Sequence, residues 1–498
     1  MKKWYTILWL TLLSSAVSAQ EAGWLRTFGG IGGQVTVALH VQENGELLIL
    51  AEDTPDPASY YNFLRWYRVS PSGQLLGEKM MFGFGNTYPK AMLAISDDRF
   101  LIVGGSAVGS ETDFKQFLTE IDASGERRWQ KRYPHPGLDP RRPPNGYFLS
   151  IDPLPQGDLF LAGVSVNILP PKRWLDLMRV DDRGNVVWHR VDSTSLRFNY
   201  HVRSTTDVAG NCYVLTSGTP GIGGEWTSYI SKWTASGNKL WQKQLTVPSP
   251  SLWVEDMIVN RDGDLVMVGA TAKDQFGQAP FVMKYSPLKD EFAVHLPEVP
   301  NWSYGKLSSV RQTADGGYLL GGALRNVPTT GFHRVDLWVL KLHAGFGIEW
   351  STEMGIGGNE YEEITGAVTA GEWGIFAAGY HLNYGSAVDN EILALRVNTA
   401  GDTLASACDF AARRAVAYPN PAGDFALIGL EENGDCPVSA ADWEISVYDP
   451  LGRRKSVPHL VVNGKFRLDL GGLASAVYFI SLKNEEGIKK TIRLLHLR

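Results

Sequence analysis

One pattern recurs seven times between residues 44 and 405, and it limits the chain to a repeat architecture. A tight turn such as Asn44-Gly45, Asp262-Gly263 or Asp315-Gly316 opens a four-residue apolar run. The runs begin at Leu47, Phe100, Leu159, Cys212, Leu265, Tyr318 and Ile375, roughly 53 to 59 residues apart. A small residue closes each: Ala51, Gly104, Gly163, Thr216, Gly269, Gly322 and Gly379. That period falls in the range of solenoids and propellers. A strand precedes each turn, as at 308–313, and another ends on a basic residue before an apolar one, as in Arg179-Val180 and Lys341-Leu342. A fourth carries Trp129, Trp188, Trp241 or Trp350 after a Gly-containing turn. Unbroken apolar runs indicate strands buried on both faces, the environment of a blade stacked between two others. A linear solenoid would need capping repeats, and none is visible.

The ends of the repeat region point to a closed ring. The seventh copy degrades before its Trp-bearing strand is complete, while residues 24–33 read Trp-Leu-Arg-Thr-Phe-Gly-Gly-Ile-Gly-Gly and closely match 350–358. The N-terminal segment is therefore expected to supply the outer strand of the last blade and the inner strand of the first. The expected fold is all-β: a seven-bladed β-propeller of four-stranded blades over residues 20–410, followed by a small Ig-like β-sandwich. The units, with Asp-Gly-Gly-Tyr, an apolar run, a Lys-bearing strand, Gly, Trp and Phe-Gly-Gly, resemble those of a family of secreted bacterial propellers across about residues 23–405. The segments 122–129 and 181–188, each Asp-x-x-Gly-x-x-x-Trp, resemble the tryptophan-docking motif of pyrroloquinoline-quinone propellers, where the motif is structural. The longer period and the absence of vicinal cysteines argue against a quinoprotein.

A chain of 498 residues, 44% hydrophobic, is long enough for more than one domain. A net charge of -6 shows no basic excess for nucleic acid. Residues 1–19 read as an export signal: Lys2 and Lys3 precede a short apolar run, and Val17-Ser18-Ala19 predicts cleavage between Ala19 and Gln20. No cysteine follows that site, which argues against a lipoprotein, and no later segment is apolar enough to cross a bilayer. Three cysteines exclude a disulfide scaffold. Cys408 and Cys436 could pair in an oxidising compartment, whereas Cys212 sits in an apolar strand and reads as an inert core thiol.

After a linker at 411–417, residues 418–498 carry four ordered motifs. Tyr418-Pro419-Asn420-Pro421-Ala422 opens the segment. Ile445-Ser446-Val447-Tyr448-Asp449 with Leu451-Gly452-Arg453 gives a strand and turn, Leu473 and Val477-Tyr478-Phe479-Ile480 follow, and Lys489-Lys490-Thr491-Ile492 forms a basic last strand. The segment resembles the type A C-terminal sorting domain of the type IX secretion system of Bacteroidetes-type bacteria. It departs from the pattern at Ala476, where Gly is usual, and in the polar insertion 431–442. The resemblance implies that the type IX machinery is a partner and that the protein is secreted or anchored at the outer-membrane surface. The alternation of Phe466, Leu468 and Leu470 suits a sandwich with one face buried.

No catalytic constellation is evident: there is no His-Glu-x-x-His, phosphate loop or Gly-x-Ser-x-Gly elbow, and no cofactor or metal is expected. Asp262-Gly263-Asp264 lacks the later ligands of a calcium loop and reads as a turn. His333 and His381 are expected in loops of adjacent blades. Loop lengths are more informative. The first-to-second and third-to-fourth turns are short and share one face. The long connections, including 53–62, 106–115, 165–173, 217–228 and 326–334, share the other. That face is expected to carry Tyr60, Tyr61, Trp174, Trp226, Trp253, Trp302, Tyr304 and Tyr384, rings suited to sugars or peptides. The leading reading is a non-catalytic binding or adhesion module for a glycan or protein. A polysaccharide hydrolase or lyase would instead need converging carboxylates, for which Glu225, Glu360, Glu362 and Glu363 are the candidates. A structural partner in a surface complex is the third reading. Deleting 416–498 is expected to trap the protein in the periplasm, as protease accessibility on intact cells would show; normal surface display after deletion would contradict the sorting assignment.

Overall fold

The computed structural model describes residues 24–496 except 30–32, 55–61, 82–84, 109–113, 135–144, 169–170, 194–195, 197, 222–223, 246–250, 273–277, 298–301, 327–334, 355–359, 370–373, 384–389, 399–414, 419–421, 423–424, 431–442, 450–452, 463–464 and 485–488. Among the described residues every regular element is a strand. Gly33–Val41, Leu47–Thr54, Phe63–Val69 and Leu75–Met81 form an antiparallel meander, and equivalent meanders span 86–133, 145–193, 198–245, 252–295 and 302–354. The last group, Glu360–Thr369, Ile375–Asn383 and Asn390–Val397, receives its fourth strand from the N-terminus: Trp24–Phe28 pairs antiparallel with Asn390–Val397, Trp24 opposite Arg396. A parallel bridge between Gly33 and Asn390 joins this group to the first meander. The arrangement is propeller-like, and the N-terminal clasp read from the sequence is present.

Each apolar run is the second strand of its sheet and is buried on both faces; Leu47, Leu48, Ile49 and Leu50 are wholly inaccessible. The first strands, Gly33–Val41, Asn86–Ser96, Asn145–Pro153, Phe198–Thr206, Leu252–Val259, Trp302–Gln312 and Glu360–Thr369, touch one another in chain order, and the last touches the first. Each junction carries a polar link. His40 Nε2 lies 3.1 Å from Asp97, Gln116 donates to Asp176 (3.0 Å), and the Ser204 amide donates to Ser150 Oγ (3.1 Å). His201 reaches the Glu255 carbonyl (3.0 Å), Arg311 pairs with Asp256 (2.8 Å) and Lys306 with Glu363 (3.0 Å). Thr36 Oγ1 donates to the Gly379 carbonyl at 2.6 Å, which closes the succession.

In the five copies where the small residue after the run is glycine, it has a steric cause. A Cβ on Gly104, Gly163, Gly269, Gly322 or Gly379 would fall 2.0, 2.1, 1.8, 2.0 or 1.8 Å from the carbonyl oxygen of Tyr88, Tyr147, Trp253, Lys306 or Glu363 respectively. Those carbonyls belong to the first strands, just before a β-bulge that recurs at the same register: Pro89/Ala91, Phe148/Ser150, Val254/Asp256, Leu307/Ser309 and Ile364/Gly366. A bulge bends its strand and re-aims the residues beside it.

The tryptophans lock neighbouring sheets. Trp24, Trp66 and Trp188 donate through Nε1 to the carbonyls of Pro71, Ala123 and Ala235, at 2.7, 2.9 and 2.9 Å. Each acceptor is the second residue of the next sheet's third-to-fourth turn. The turn glycine must lie flat under the ring: Gly237 has φ +81°, and a Cβ there would meet Trp188 at 3.0 Å. The basic residue of the repeat is the cross-strand partner of the tryptophan. Arg179 pairs with Trp188 and shares its acceptor, the Ala235 carbonyl (3.0 Å). Arg396 pairs with Trp24 and donates to the Pro71 carbonyl (3.0 Å).

The C-terminal domain is two four-stranded sheets. One contains Ala415–Tyr418, Phe425–Leu430, His459–Val462 and Lys465–Asp469; the other contains Trp443–Tyr448, Arg454–Lys455, Ala476–Asn484 and Lys489–His496. Ile428, Leu468, Leu470, Ile480 and Leu494 form their shared core. Strand Ala415–Tyr418 starts this domain slightly before the expected boundary, and the rest of the linker lies outside the described residues. Tyr478 is buried and donates to the Ala474 carbonyl (3.0 Å), while Lys489 and Lys490 open the last strand. The signal segment with Ala19 and Gln20, the Cys408–Cys436 pair, and Pro419, Asn420, Pro421 and Gly452 lie outside the described residues. Cys212 is a buried free thiol.

Trp24 is buried, fills the core between the last and first sheets, and makes the closing hydrogen bond. Trp24→Ala is expected to cost about 3–5 kcal/mol, measured by urea unfolding of residues 20–498; a loss below about 1 kcal/mol would contradict a load-carrying clasp.

Candidate functional site

The first strands alternate sharply. Thr36, Pro89, Phe148, Val202, Val254 and Leu307 are buried between sheets, whereas the residues one position earlier, Val35, Tyr88, Tyr147, His201, Trp253 and Lys306, are only half-buried. These side chains, on the strands that touch one another around the ring, keep part of their surface open to solvent. Pairing opposite the residue after the one that closes each apolar run puts these side chains at one level, at the end from which the long connections leave; a bulge follows at that register in the strands of Val35, Tyr88, Tyr147, Trp253 and Lys306, but not in that of His201.

One arc of this level is charged. Lys306 Nζ lies 3.1 Å from Glu255 Oε1 and 3.0 Å from Glu363 Oε1. Ser308 Oγ donates to Glu363 Oε1, and Tyr380 OH donates to Glu363 Oε2 at 3.2 Å. Burial is the strongest influence on Lys306 and pulls its pKa down, but Glu363 and Glu255 outweigh it; the net shift is upward and the ammonium stays charged. Burial pushes Glu255 up, and Lys306, aided by His201, more than reverses that, so it stays ionised. A carbonyl can only accept, so His201 Nε2 must carry the proton it gives Glu255 O, leaving Nδ1 as an acceptor. Burial, then Arg203, drives His201 down to about 4, so the ring is neutral at pH 7.

The opposite arc is aromatic. Phe114 stacks on Tyr147 (5.5 Å between centroids) and meets Tyr88 edge-on (5.1 Å), with Tyr88 and Tyr147 6.2 Å apart. Lys90 lies over Tyr88 and pairs with Glu52 at 2.8 Å. Within the charged arc, on the strand that carries Glu255, Trp253 packs against Trp226 at 6.1 Å. Trp226 Nε1 is buried without a hydrogen-bond partner among the described residues. Such a level can stack on apolar faces and offer donors and acceptors to hydroxyls. No cluster of three His, Cys, Asp or Glu fit for a metal occurs among the described residues.

Of the residues expected on the long-connection face, Trp226 and Trp253 are brought together, and Tyr304 lies two residues before Lys306. Several sit in strands rather than loops: Trp174 in Pro171–Val180, Trp253 in Leu252–Val259, and Trp302 and Tyr304 in Trp302–Gln312. Trp174 pairs with Ser165 and Ser193, away from the first strands. Tyr60, Tyr61 and Tyr384 lie outside the described residues, as does His333. Glu360, Glu362 and Glu363 also belong to a strand, Glu360–Thr369; only Glu225, which is exposed, precedes its strand. His381 is not a loop residue: it is buried in Ile375–Asn383 with Nδ1 3.2 Å from Glu362 Oε1. His381, Glu360, Glu362 and Glu363 lie in strands and not in the expected loops because the strands run past their apolar runs into polar and aromatic residues. Tyr88, Tyr147, His201, Glu255 and Lys306 went unnoticed, since their types do not repeat. The small residue that closes each run was their signal, because its partner on the first strand marks this level.

Residues 416–495 match the family model of the secretion system C-terminal sorting domain. They are a type IX sorting domain, and the protein is secreted, to be attached at the cell surface or released. No helix among the described residues is long and apolar enough to cross a membrane. No curated protein sequence matches the chain. Solved structures similar to it include a protein of unknown function from Dyadobacter fermentans DSM 18053 (11% identity, TM-score 0.43, 75% of this chain and 99% of that one). A polysaccharide lyase of family PL25, an ulvan lyase, matches at 12% identity and TM-score 0.47 over 74% of this chain and 95% of its own. The α-L-arabinanase of Penicillium chrysogenum matches at 14% and 0.40 over 63% and 98%. Likeness this weak carries no activity over to the present chain.

Asp152, at the far end of its strand, accepts from Ser204 Oγ. Burial lifts it to about 7, with Asp256 adding and Ser204, Arg311 and Arg203 opposing. Its raised pKa stabilises the fold at low pH, and that contribution is lost as pH rises toward 7. His201, depressed from 6.5 to about 4, contributes above pH 6.5 and loses that contribution as pH falls toward 4. The two slopes oppose. Asp152→Asn is expected to uncover the His201 slope, so the variant's urea midpoint drops more steeply than wild type between pH 7 and about 4.5; parallel profiles would contradict the assignment.

Proposed function

We propose that residues 24–397 form a seven-bladed β-propeller, that the C-terminal domain is an Ig-like sandwich, and that the secreted protein is a non-catalytic binding module taking a glycan at the axial level of the long-connection face. The observation that carries this reading is the common level itself, where the rings of Tyr88, Tyr147 and Trp253 share one height with the polar groups of His201 and Lys306. Aromatic faces stack on the apolar faces of sugars, and the polar tips between them satisfy hydroxyls. The ring is held by paired strands, so little ordering has to accompany binding.

A glycan panel followed by calorimetry tests this. Tyr147→Ala and Trp253→Ala are each expected to weaken a bound glycan at least tenfold, about 1.4 kcal/mol, while Trp174→Ala leaves affinity unchanged. Absence of glycan binding, or binding indifferent to both ring variants, would overturn the reading. A second reading, a polysaccharide hydrolase or lyase, draws support from the two carboxylates, Glu255 and Glu363, gathered on one lysine. A glycosidase acid needs a raised pKa, whereas Glu255 is shifted downward. Product formed over hours and abolished by Glu363→Gln would establish that alternative.

A further inference from the structure

One cation near this level is unlike the others. Arg65, Arg99, Arg179 and Arg311 are paired with Asp53, Glu120, Asp158 and Asp256 respectively. Arg325, at the end of Tyr318–Asn326, is half-buried; its Nε is buried without a hydrogen-bond partner, and no carboxylate pairs with it among the described residues. Its guanidinium lies 5.8 Å from the Tyr304 ring, directly opposite in the ladder. Ladder partners share a face, and so do residues two apart; Arg325, Tyr304 and Lys306 therefore lie on one side of the sheet. The other side is closed, because a Cβ on Gly305 would meet Pro280 at 2.7 Å.

A guanidinium with a buried, unbonded Nε and no counter-charge is left unsatisfied, and a planar fork is the group best matched to a carboxylate or sulfate. The cation–π contact orients the fork without neutralising it. Lys306 is fully engaged by two glutamates and cannot serve. We infer that Arg325, braced on Tyr304, is an oxyanion subsite at the rim of the axial level, so that the ligand is an acidic glycan bearing carboxylate or sulfate. The inference rests on the glycan-binding reading and narrows it to charged sugars.

The test is calorimetric titration of residues 20–498 with polygalacturonate, dextran sulfate and neutral dextran at low and high salt. At least one acidic polymer is expected to bind tenfold or more tightly than dextran, and the two distinguish carboxylate from sulfate. Arg325→Gln is expected to abolish that preference. Arg325→Lys, which keeps the charge but loses the fork, is expected to retain a weaker preference and guards against a folding artefact, with thermal midpoints measured for both. Dextran binding as tightly as the acidic polymers overturns the anion subsite and leaves the glycan reading standing. Acidic binding unchanged in Arg325→Gln, or no binding of either acidic polymer, also overturns it, and the glycan panel then judges the broader reading separately.

Discussion

The innermost strands are held in place by a fit that tolerates no side chain: the glycine that closes an apolar run lies against the carbonyl just before a bulge in the neighbouring strand. Five sheets repeat it. Because the bulge recurs at one register, the residues beside it come to one level, whatever their type. The steric requirement thus fixes the backbone and leaves the side chains free to vary. A ring built this way keeps its geometry while one arc becomes aromatic and the other charged.

A second layer of order comes from the periphery. Tryptophan and its cross-strand basic partner reach to the same carbonyl of the adjacent turn, so two donors share one acceptor at the joints made by Trp24 and Trp188. The joints differ in detail. In the first sheet Gly77 stands where other sheets carry the outer-strand tryptophan, and Trp66 of the third strand docks instead. Sheets that share no continuous backbone ladder are thereby tied at both inner and outer radius, and the N-terminal strand completes the last of them.

Much of this was legible in the sequence. The apolar runs, the turns and the match between 24–33 and 350–358 announced the sheets and the clasp, because each depends on local spacing. The site was far less legible. Val37, Lys90, Leu149, Glu255, Ser308 and Thr365 occupy the same bulge position without any resemblance among them. Charge pairing across sheets, such as Glu255 with Lys306, depends on residues some fifty apart meeting at the axis. Aromatic residues drew attention to loops, although Trp253 and Tyr304 are strand residues whose position follows from the bulge and not from loop length.

Closure of the ring by the N-terminal strand is the claim on which the axial level rests, and disulfide trapping addresses it directly. Arg26 and Ala394 are register partners across the closing pair. Cysteines introduced at both positions in residues 20–498 are predicted to link spontaneously under mild oxidation, with the cross-linked peptide seen by mass spectrometry and a raised unfolding temperature. Failure of that pair to link in folded, monomeric protein would contradict the closed ring and the site built upon it.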